Sequence, residues 1–247
     1  MIDIFEKTYV VNLLSDISKK QFFIEQVKGK IVEDQYEFFE AVDGTNIDIN
    51  TIDDTIITKY ARESVTSKKQ KIFGISLTYG ALGCALSHKQ IWEECQNCSK
   101  PFLVFEDDAI FHKQFNTIFP NVCKKLKDLK YDLFYIGYNE IPGFKKKTID
   151  LVLSKPSGLI TGTYGYIVSP IGAYKLLNTI FPLNKQVDSS ISDNLSKLDV
   201  FCSTLKLISP NMSFGSKTQK GQSCVNYIQN DNLDPNIKSD SWYKLFQ

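Results

Sequence analysis

The sequence predicts an α/β protein built on a mostly parallel central sheet, and two observations carry that prediction. Short apolar runs, rich in β-branched and aromatic residues, alternate with amphipathic stretches through most of the 247 residues. One of these runs, Phe102-Leu103-Val104-Phe105, leads straight into Glu106-Asp107-Asp108. A run that short and that apolar reads as a strand buried on both faces. The carboxylates that follow it then fall at the edge of the sheet, where open α/β proteins place their ligands.

The elements follow in order. Residues 8–13 form a compact apolar strand closed by Ser15-Asp16. Ser18 is placed to cap a helix carrying Phe22, Phe23 and Val27 on one side. Residues 37–42 read as a second strand, stopped by the turn signal Asp43-Gly44. Residues 45–76 are polar and poorly periodic, which predicts loop with short helical pieces. Leu82, Ala85, Leu86, Ile91, Trp92 and Cys95 fit one helical face, with Gly80 and Gly83 at its entry. Pro101 starts the buried strand. Residues 132–137 predict another strand, and 138–148, with Gly143 and lysines at 145–147, a loop. Residues 161–169 are aromatic and β-branched, and Pro170 stands where the first residue of a helix would, ahead of Ala173, Leu176 and Leu177. Residues 188–198 predict a helix, and 200–208 one or two strands.

Composition narrows the class. The hydrophobic and charged fractions, 43% and 23%, are ordinary for a globular domain. No repeat or low-complexity linker interrupts the chain, so residues 1–247 read as one domain. A formal net charge of +1 gives no case for nucleic acid. Arg62 is the sole arginine, so a polyphosphate would meet lysines and backbone N–H groups. Of six cysteines, only Cys95-Gln96-Asn97-Cys98 forms a CxxC pair; with no second pair and no histidine at zinc-finger spacing, the thiols read as structural. The N-terminus is acidic and lacks the apolar core of a signal peptide, and no run approaches the ~20 residues that span a bilayer. The expectation is cytoplasmic residence, with peripheral contact at the inner membrane open to the lysines at 145–147 and to Trp242-Tyr243-Lys244-Leu245-Phe246.

Three adjacent carboxylates repel one another at neutral pH unless a cation or hydrogen-bond donors compensate. Hard oxygen ligands of this kind suit Mg²⁺ or Mn²⁺ held against a phosphate. The bland alternative is a solvated acidic turn.

The acidic turn does not stand alone. Gly83-Cys84-Ala85-Leu86-Ser87-His88 precedes it, and Gly162-Thr163-Tyr164-Gly165-Tyr166-Ile167-Val168-Ser169 and then Val187-Asp188 follow. Tyr9-Val10-Val11-Asn12-Leu13 and Phe39-Glu40-Ala41-Val42-Asp43-Gly44 open the series. In order and spacing these segments resemble the family 25 glycosyltransferases of bacterial lipooligosaccharide synthesis. The resemblance covers residues 8–225 and leaves a tail at 226–247.

The resemblance implies a GT-A fold, a Rossmann-like α/β domain that uses a nucleotide-sugar donor and a divalent metal, Mn²⁺ or Mg²⁺. It implies inverting transfer of a hexose, most often galactose from UDP-galactose, onto a saccharide acceptor, lipid-linked in lipooligosaccharide or a similar surface glycan. Glu106 and Asp108 become the expected metal ligands, with Asp107 a further ligand or a ribose contact. Asp188 is the expected base for the acceptor hydroxyl, with Asp193 in reserve; the alternative for Asp188 is a helix N-cap. Asn12 and Leu13 would meet the uracil and ribose. Lys19 and Lys20 stand where the family shows arginines, and Lys20 is the diphosphate candidate, with a solvated helix surface its alternative. Ser87 and His88 are donor-contact candidates, although a helical histidine also reads as a structural residue. His112 is weighed as a further metal ligand. Gly162, Thr163 and Tyr164 would lie beside the acceptor, with one of Tyr164 and Tyr166 facing a sugar and the other in the core. Ser223, in Gly221-Gln222-Ser223, echoes a loop that closes over the donor. Two rival readings stay open: a glycoside hydrolase with paired carboxylates, and a non-catalytic nucleotide- or glycan-binding module.

Overall fold

The apolar runs become strands of one ten-stranded sheet in the computed structural model, which describes residues 4–67, 76–140 and 143–214. The strands are β1 (Lys7–Asn12), β2 (Glu37–Glu40), β3 (Phe102–Glu106), β4 (Ala109–Phe111), β5 (Leu133–Asn139), β6 (Phe144–Thr148), β7 (Leu153–Gly158), β8 (Thr161–Val168), β9 (Val200–Ser203) and β10 (Ile208–Pro210). Their order is β2-β1-β3-β8-β5-β9-β7-β6, with β10 joining β5 to β4. Pairing directions set β1, β2, β3, β5, β6, β9 and β10 running one way, and β4, β7 and β8 the other. The sheet is therefore mixed in its pairing but largely parallel in direction, as expected of a Rossmann-like α/β domain.

Helices cover both faces. The helices are α1 (Ile17–Val27), α2 (Lys59–Thr66), α3 (Tyr79–Cys95), α4 (Phe115–Leu126), α5 (Pro170–Ile180) and α6 (Val187–Asp193). One apolar layer joins Leu82, Ile91 and Trp92 of α3 to Leu176 of α5, Ile191 of α6, and Val104 and Tyr166 of the sheet. The other joins Phe23 of α1 and Phe115 and Phe119 of α4 to Leu103, Phe105 and Ile167. Phe102 to Phe105 alternate between the two layers and are fully buried, each contributing about 1.5–3 kcal/mol.

This arrangement decides where a ligand can sit. β1 lies between β2 and β3; α1 leaves it for one face, and α3 returns to β3 across the other. The C-terminal ends of β1 and β3 thus flank a topological switch point, the crevice that such sheets use for ligands. Val11 is in register with Glu106, so Asn12 stands beside Asp107. β8 runs antiparallel to β3, with Gly165 opposite Phe105, so the first residues of β8 reach the same edge.

Four details differ from expectation. Residues 144–148 are a strand, not a loop: Lys145 and Lys147 point outward, while Lys146 turns in to the Tyr138 hydroxyl and the Thr204 carbonyl. Lysines in succession read as solvated loop, but outward lysines also suit an edge strand. α1 starts at Ile17, and Ser18 spends its hydroxyl on the Asp16 carboxylate (3.1 Å) instead of capping. α4 carries Pro120 within it, which masked its apolar periodicity. α6 stops at Asp193, short of the expected 198.

Candidate active site

The acidic turn is assembled by its neighbours. Glu106 ends β3, and Asp107 and Asp108 form the two-residue link to β4. Asn12 donates to Asp107 (2.7 Å) and to the Asp16 carbonyl (3.2 Å), tying the end of β1 to the turn. Lys19, on the first turns of α1, sets its ammonium 3.3 Å from Asp107 and 3.2 Å from Asp108. Thr163 donates to Glu106 Oε1 (2.6 Å), and His88 Nε2 lies 3.6 Å from the same oxygen, just beyond hydrogen-bond range.

The charges respond to this packing. Burial pushes the Asp108 carboxyl up to about 6, with help from the Glu106 charge and against that of Lys19. Asp107 is raised by burial too, with Lys19 and Asn12 opposing. Burial acts on Glu106 in the same direction, but His88, Thr163 and Lys19 outweigh it and hold that carboxyl below its usual range. Burial opposes the Lys19 ammonium; the Asp108 and Asp107 charges overcome it and raise its pKa.

Asp188 closes the group from the other side. It lies in the first turn of α6, two residues past Gln186, the position that would cap it. Its carboxylate accepts from Gly162 N (3.0 Å) and Ser189 N (2.7 Å). Burial and the Glu106 charge still raise its pKa, although both N–H groups work to lower it. Gly162 meets a geometry only glycine accepts without strain: φ is +94°, and a Cβ there would sit 2.5 Å from the Tyr164 ring.

The remaining expected residues fall in varied places. Leu13 lines a cleft of about 760 Å³, together with Leu14, Ser15, Phe39, Glu40, Ala41, Val42, Asp43, Asn46, Ile47 and Gln90. Lys19 reaches the carboxylates, whereas Lys20 sits 4.6 Å over the Phe38 ring and is exposed. Ser87 is fully buried and joins Val42 N (2.9 Å) to the Gly83 carbonyl (2.8 Å), holding α3 against the segment after β2. Gly83 permits that approach, since a Cβ would meet the Val42 carbonyl at 2.5 Å. His88 is fully buried and faces Glu106, not the cleft. Tyr164 and Tyr166 are both buried, in opposite layers, because β8 loses its register with β5 between Thr161 and Gly165. Tyr164 donates to Asn139 (3.2 Å). Asp193 pairs with Lys185 (2.7 Å), and His112 accepts from Gln114 N (3.2 Å). Ser223 and the tail lie outside the described residues.

Sequence reasoning undervalued two groups. Lys19 was visible only as one of an adjacent pair, and nothing in the sequence says which lysine faces the turn. Cys84 stands four residues before His88 on α3, a spacing that puts both on one helical face. Ligand atoms of Cys84, His88 and Glu106 all lie within 4.8 Å of one another.

The switch-point crevice, the acidic turn at its edge and the two segments feeding it can now be set against known proteins. The model of glycosyltransferase family 25 (LPS biosynthesis protein) matches residues 5–191. The chain belongs to glycosyltransferase family 25. Family 25 relatives include procollagen galactosyltransferase 1-A of Xenopus laevis, 30% identical over 188 residues, 70% of this chain and 28% of the relative. Procollagen galactosyltransferase 1 of Danio rerio is 27% identical over 188 residues, 74% of this chain and 30% of its own. A probable inactive glycosyltransferase 25 family member 3 of Bos taurus is 24% identical over 182 residues, 70% of this chain and 29% of its own. The chain thus spans less than a third of the length of these curated family 25 relatives.

Proposed function

We propose that the chain is an inverting, metal-dependent glycosyltransferase that moves a hexose, galactose from UDP-galactose, onto a saccharide acceptor of a surface glycan such as lipooligosaccharide. The observation that carries this reading is the convergence of Glu106 and Asp188 on consecutive residues of β8, with Asp108 in the same acidic turn, while a cleft lies off the neighbouring ends of β1 and β2. Family membership supports glycosyl transfer, and the galactosyltransferase names of two relatives support galactose.

A divalent cation fits the donor set. The ligands are hard oxygens, Lys19 pairs with Asp107 and Asp108 but not with Glu106, and the buried Oδ1 of Asp108 has no hydrogen-bond partner among the described residues. Asp108 and Glu106 would hold the ion, since Asp107 already spends both oxygens on Asn12 and Lys19. When bound, Mn²⁺ or Mg²⁺ supplies the positive charge that stabilises a departing diphosphate. The cleft beside Leu13 and Phe39 has room for a nucleoside. Asp188 takes the proton of the acceptor hydroxyl as it attacks, and its raised pKa makes it a stronger base than an ordinary aspartate. We place the reaction at the cytoplasmic face of the membrane; no helix among the described residues is long and apolar enough to cross it.

A donor screen tests the reading. Purified protein with Mn²⁺ is offered UDP-galactose, UDP-glucose and their N-acetyl forms, with and without simple glucoside and N-acetylglucosaminide acceptors. Acceptor-dependent UDP release with UDP-galactose is the expected result. UDP binding without turnover of any donor would instead favour the non-catalytic reading suggested by the relatives named inactive. Cleavage of a saccharide without a nucleotide sugar would favour hydrolysis.

A further inference from the structure

His88 takes part in a buried relay that runs from α3 to β8 and back. Trp92, one turn after His88, donates its indole N–H to the Tyr166 oxygen at 3.1 Å. An indole nitrogen only donates, so the Tyr166 oxygen must accept there. The other partner of that hydroxyl is His88 Nδ1, at 2.9 Å. Tyr166 is 1% exposed. If Nδ1 also carried a proton, the Tyr166 proton would be stranded in the core with no acceptor among the described residues, and stranded buried donors are costly. Tyr166 therefore donates to Nδ1, which leaves the proton of a neutral imidazole on Nε2.

Nε2 is buried, has no hydrogen-bond partner, and faces Glu106 Oε1. Thr163 donates to that same oxygen. Both protein groups thus address Oε1, and Oε2 is left for a ligand.

We infer that His88 is a positioning residue: held as the Nε2–H tautomer by the Trp92–Tyr166 relay, it turns Glu106 so that Oε2 meets the cation. The positioning role rests on the cation reading proposed above; the tautomer does not. The relay also decides against the cluster of Cys84, His88 and Glu106 as a soft-metal site. Such a metal needs a bare nitrogen, and here Nε2 carries the proton while Nδ1 is taken by Tyr166.

Two histidines in the chain make the test direct. Nitrogen NMR of the 247-residue chain labelled at histidine, with His112→Asn for assignment, reads the tautomer without any metal or substrate. The expected result is Nε2–H at His88, with Tyr166→Phe shifting it toward Nδ1–H. An Nδ1–H tautomer in the unsubstituted protein overturns the relay. Calorimetry with Mn²⁺ alone reads the positioning role: His88→Leu weakens binding roughly 10–100-fold, while His88→Gln, whose amide carries an N–H to the same side, retains most of it. Equal affinity in both variants overturns the role even if the leucine variant is destabilised. Failure of the unsubstituted protein to bind Mn²⁺ overturns the cation reading and leaves the tautomer result standing. A cobalt–thiolate absorption band on adding Co²⁺, lost in Cys84→Ser and lost or shifted in His88→Leu, makes His88 a ligand and overturns the inference.

Discussion

Glu106 and Asp188 hang from consecutive residues of one strand: Thr163 donates to Glu106 at 2.6 Å, and Gly162 N–H to Asp188 at 3.0 Å. The acid that would grip the cation and the acid that would take the proton are thereby anchored one residue apart on β8, one through the Thr163 hydroxyl and the other through the Gly162 main chain.

Asp188→Asn removes the base and keeps the side-chain size, although its amide accepts from only one of the Gly162 and Ser189 N–H groups. Transfer falls about 10²–10⁴-fold, and UDP affinity by calorimetry is unchanged. Because burial raises the Asp188 pKa, its proton persists to higher pH than on an ordinary aspartate, so the rate of the unsubstituted enzyme climbs as pH rises through that value. The asparagine variant loses this dependence. Retained full activity would sink the assignment.

Asp108 carries a stability cost that its removal exposes. In the folded chain it holds its proton up to about pH 6, against 3.8 ordinarily. Between those values the native state binds more protons than the unfolded state, so this group makes stability fall as pH rises, and the loss is complete above the folded value. Asp108→Asn should therefore melt higher than the unsubstituted protein at pH 7.5, with the gap closing below about pH 4, while transfer is lost. A lower melting temperature at pH 7.5 would contradict the burial argument.

Lys19 and Lys20 separate by experiment. Lys19 is 11% exposed in its side chain and faces two carboxylates; Lys20 faces an aromatic ring at the surface. Lys19→Met leaves the acids uncompensated and costs about 3–5 kcal/mol in denaturant unfolding, whereas Lys20→Met costs under ~0.5 kcal/mol. Mn²⁺ should raise the melting temperature of the Lys19 variant more than that of the unsubstituted protein, since it replaces the missing charge. Equal shifts would argue against a shared site.

Gly162→Ala forces a side chain into a left-handed backbone and onto the Tyr164 ring. A loss of about 1–3 kcal/mol is expected, and transfer measured well below the melting temperature should drop too, because the Gly162 N–H shifts away from Asp188. Normal activity with reduced stability would detach the turn from the chemistry.

Much of this was legible in the residues themselves. The run from Phe102 to Phe105 had to be a central strand, and its place fixed the acidic turn at the switch point. Asp188 could be singled out only through its motif, since its contact with Gly162 spans 26 positions. Local pattern could not report that Lys19 faces inward and Lys20 outward, because α1 begins at an uncapped Ile17 and its phase is set by Phe23 in the core. The expectation that one of Tyr164 and Tyr166 faces a sugar also failed: both are buried, one in each layer, where strict alternation would put residues two apart on one face and the lost register between β8 and β5 separates them.

The Asn12 carboxamide clasps both Asp107 and the main chain at Asp16. In the proposed reading, the floor that would receive a nucleoside and the wall that would receive its phosphates are tied together by that one side chain. A donor held there would have to match both at once, which would leave discrimination among sugars to the atoms beyond them.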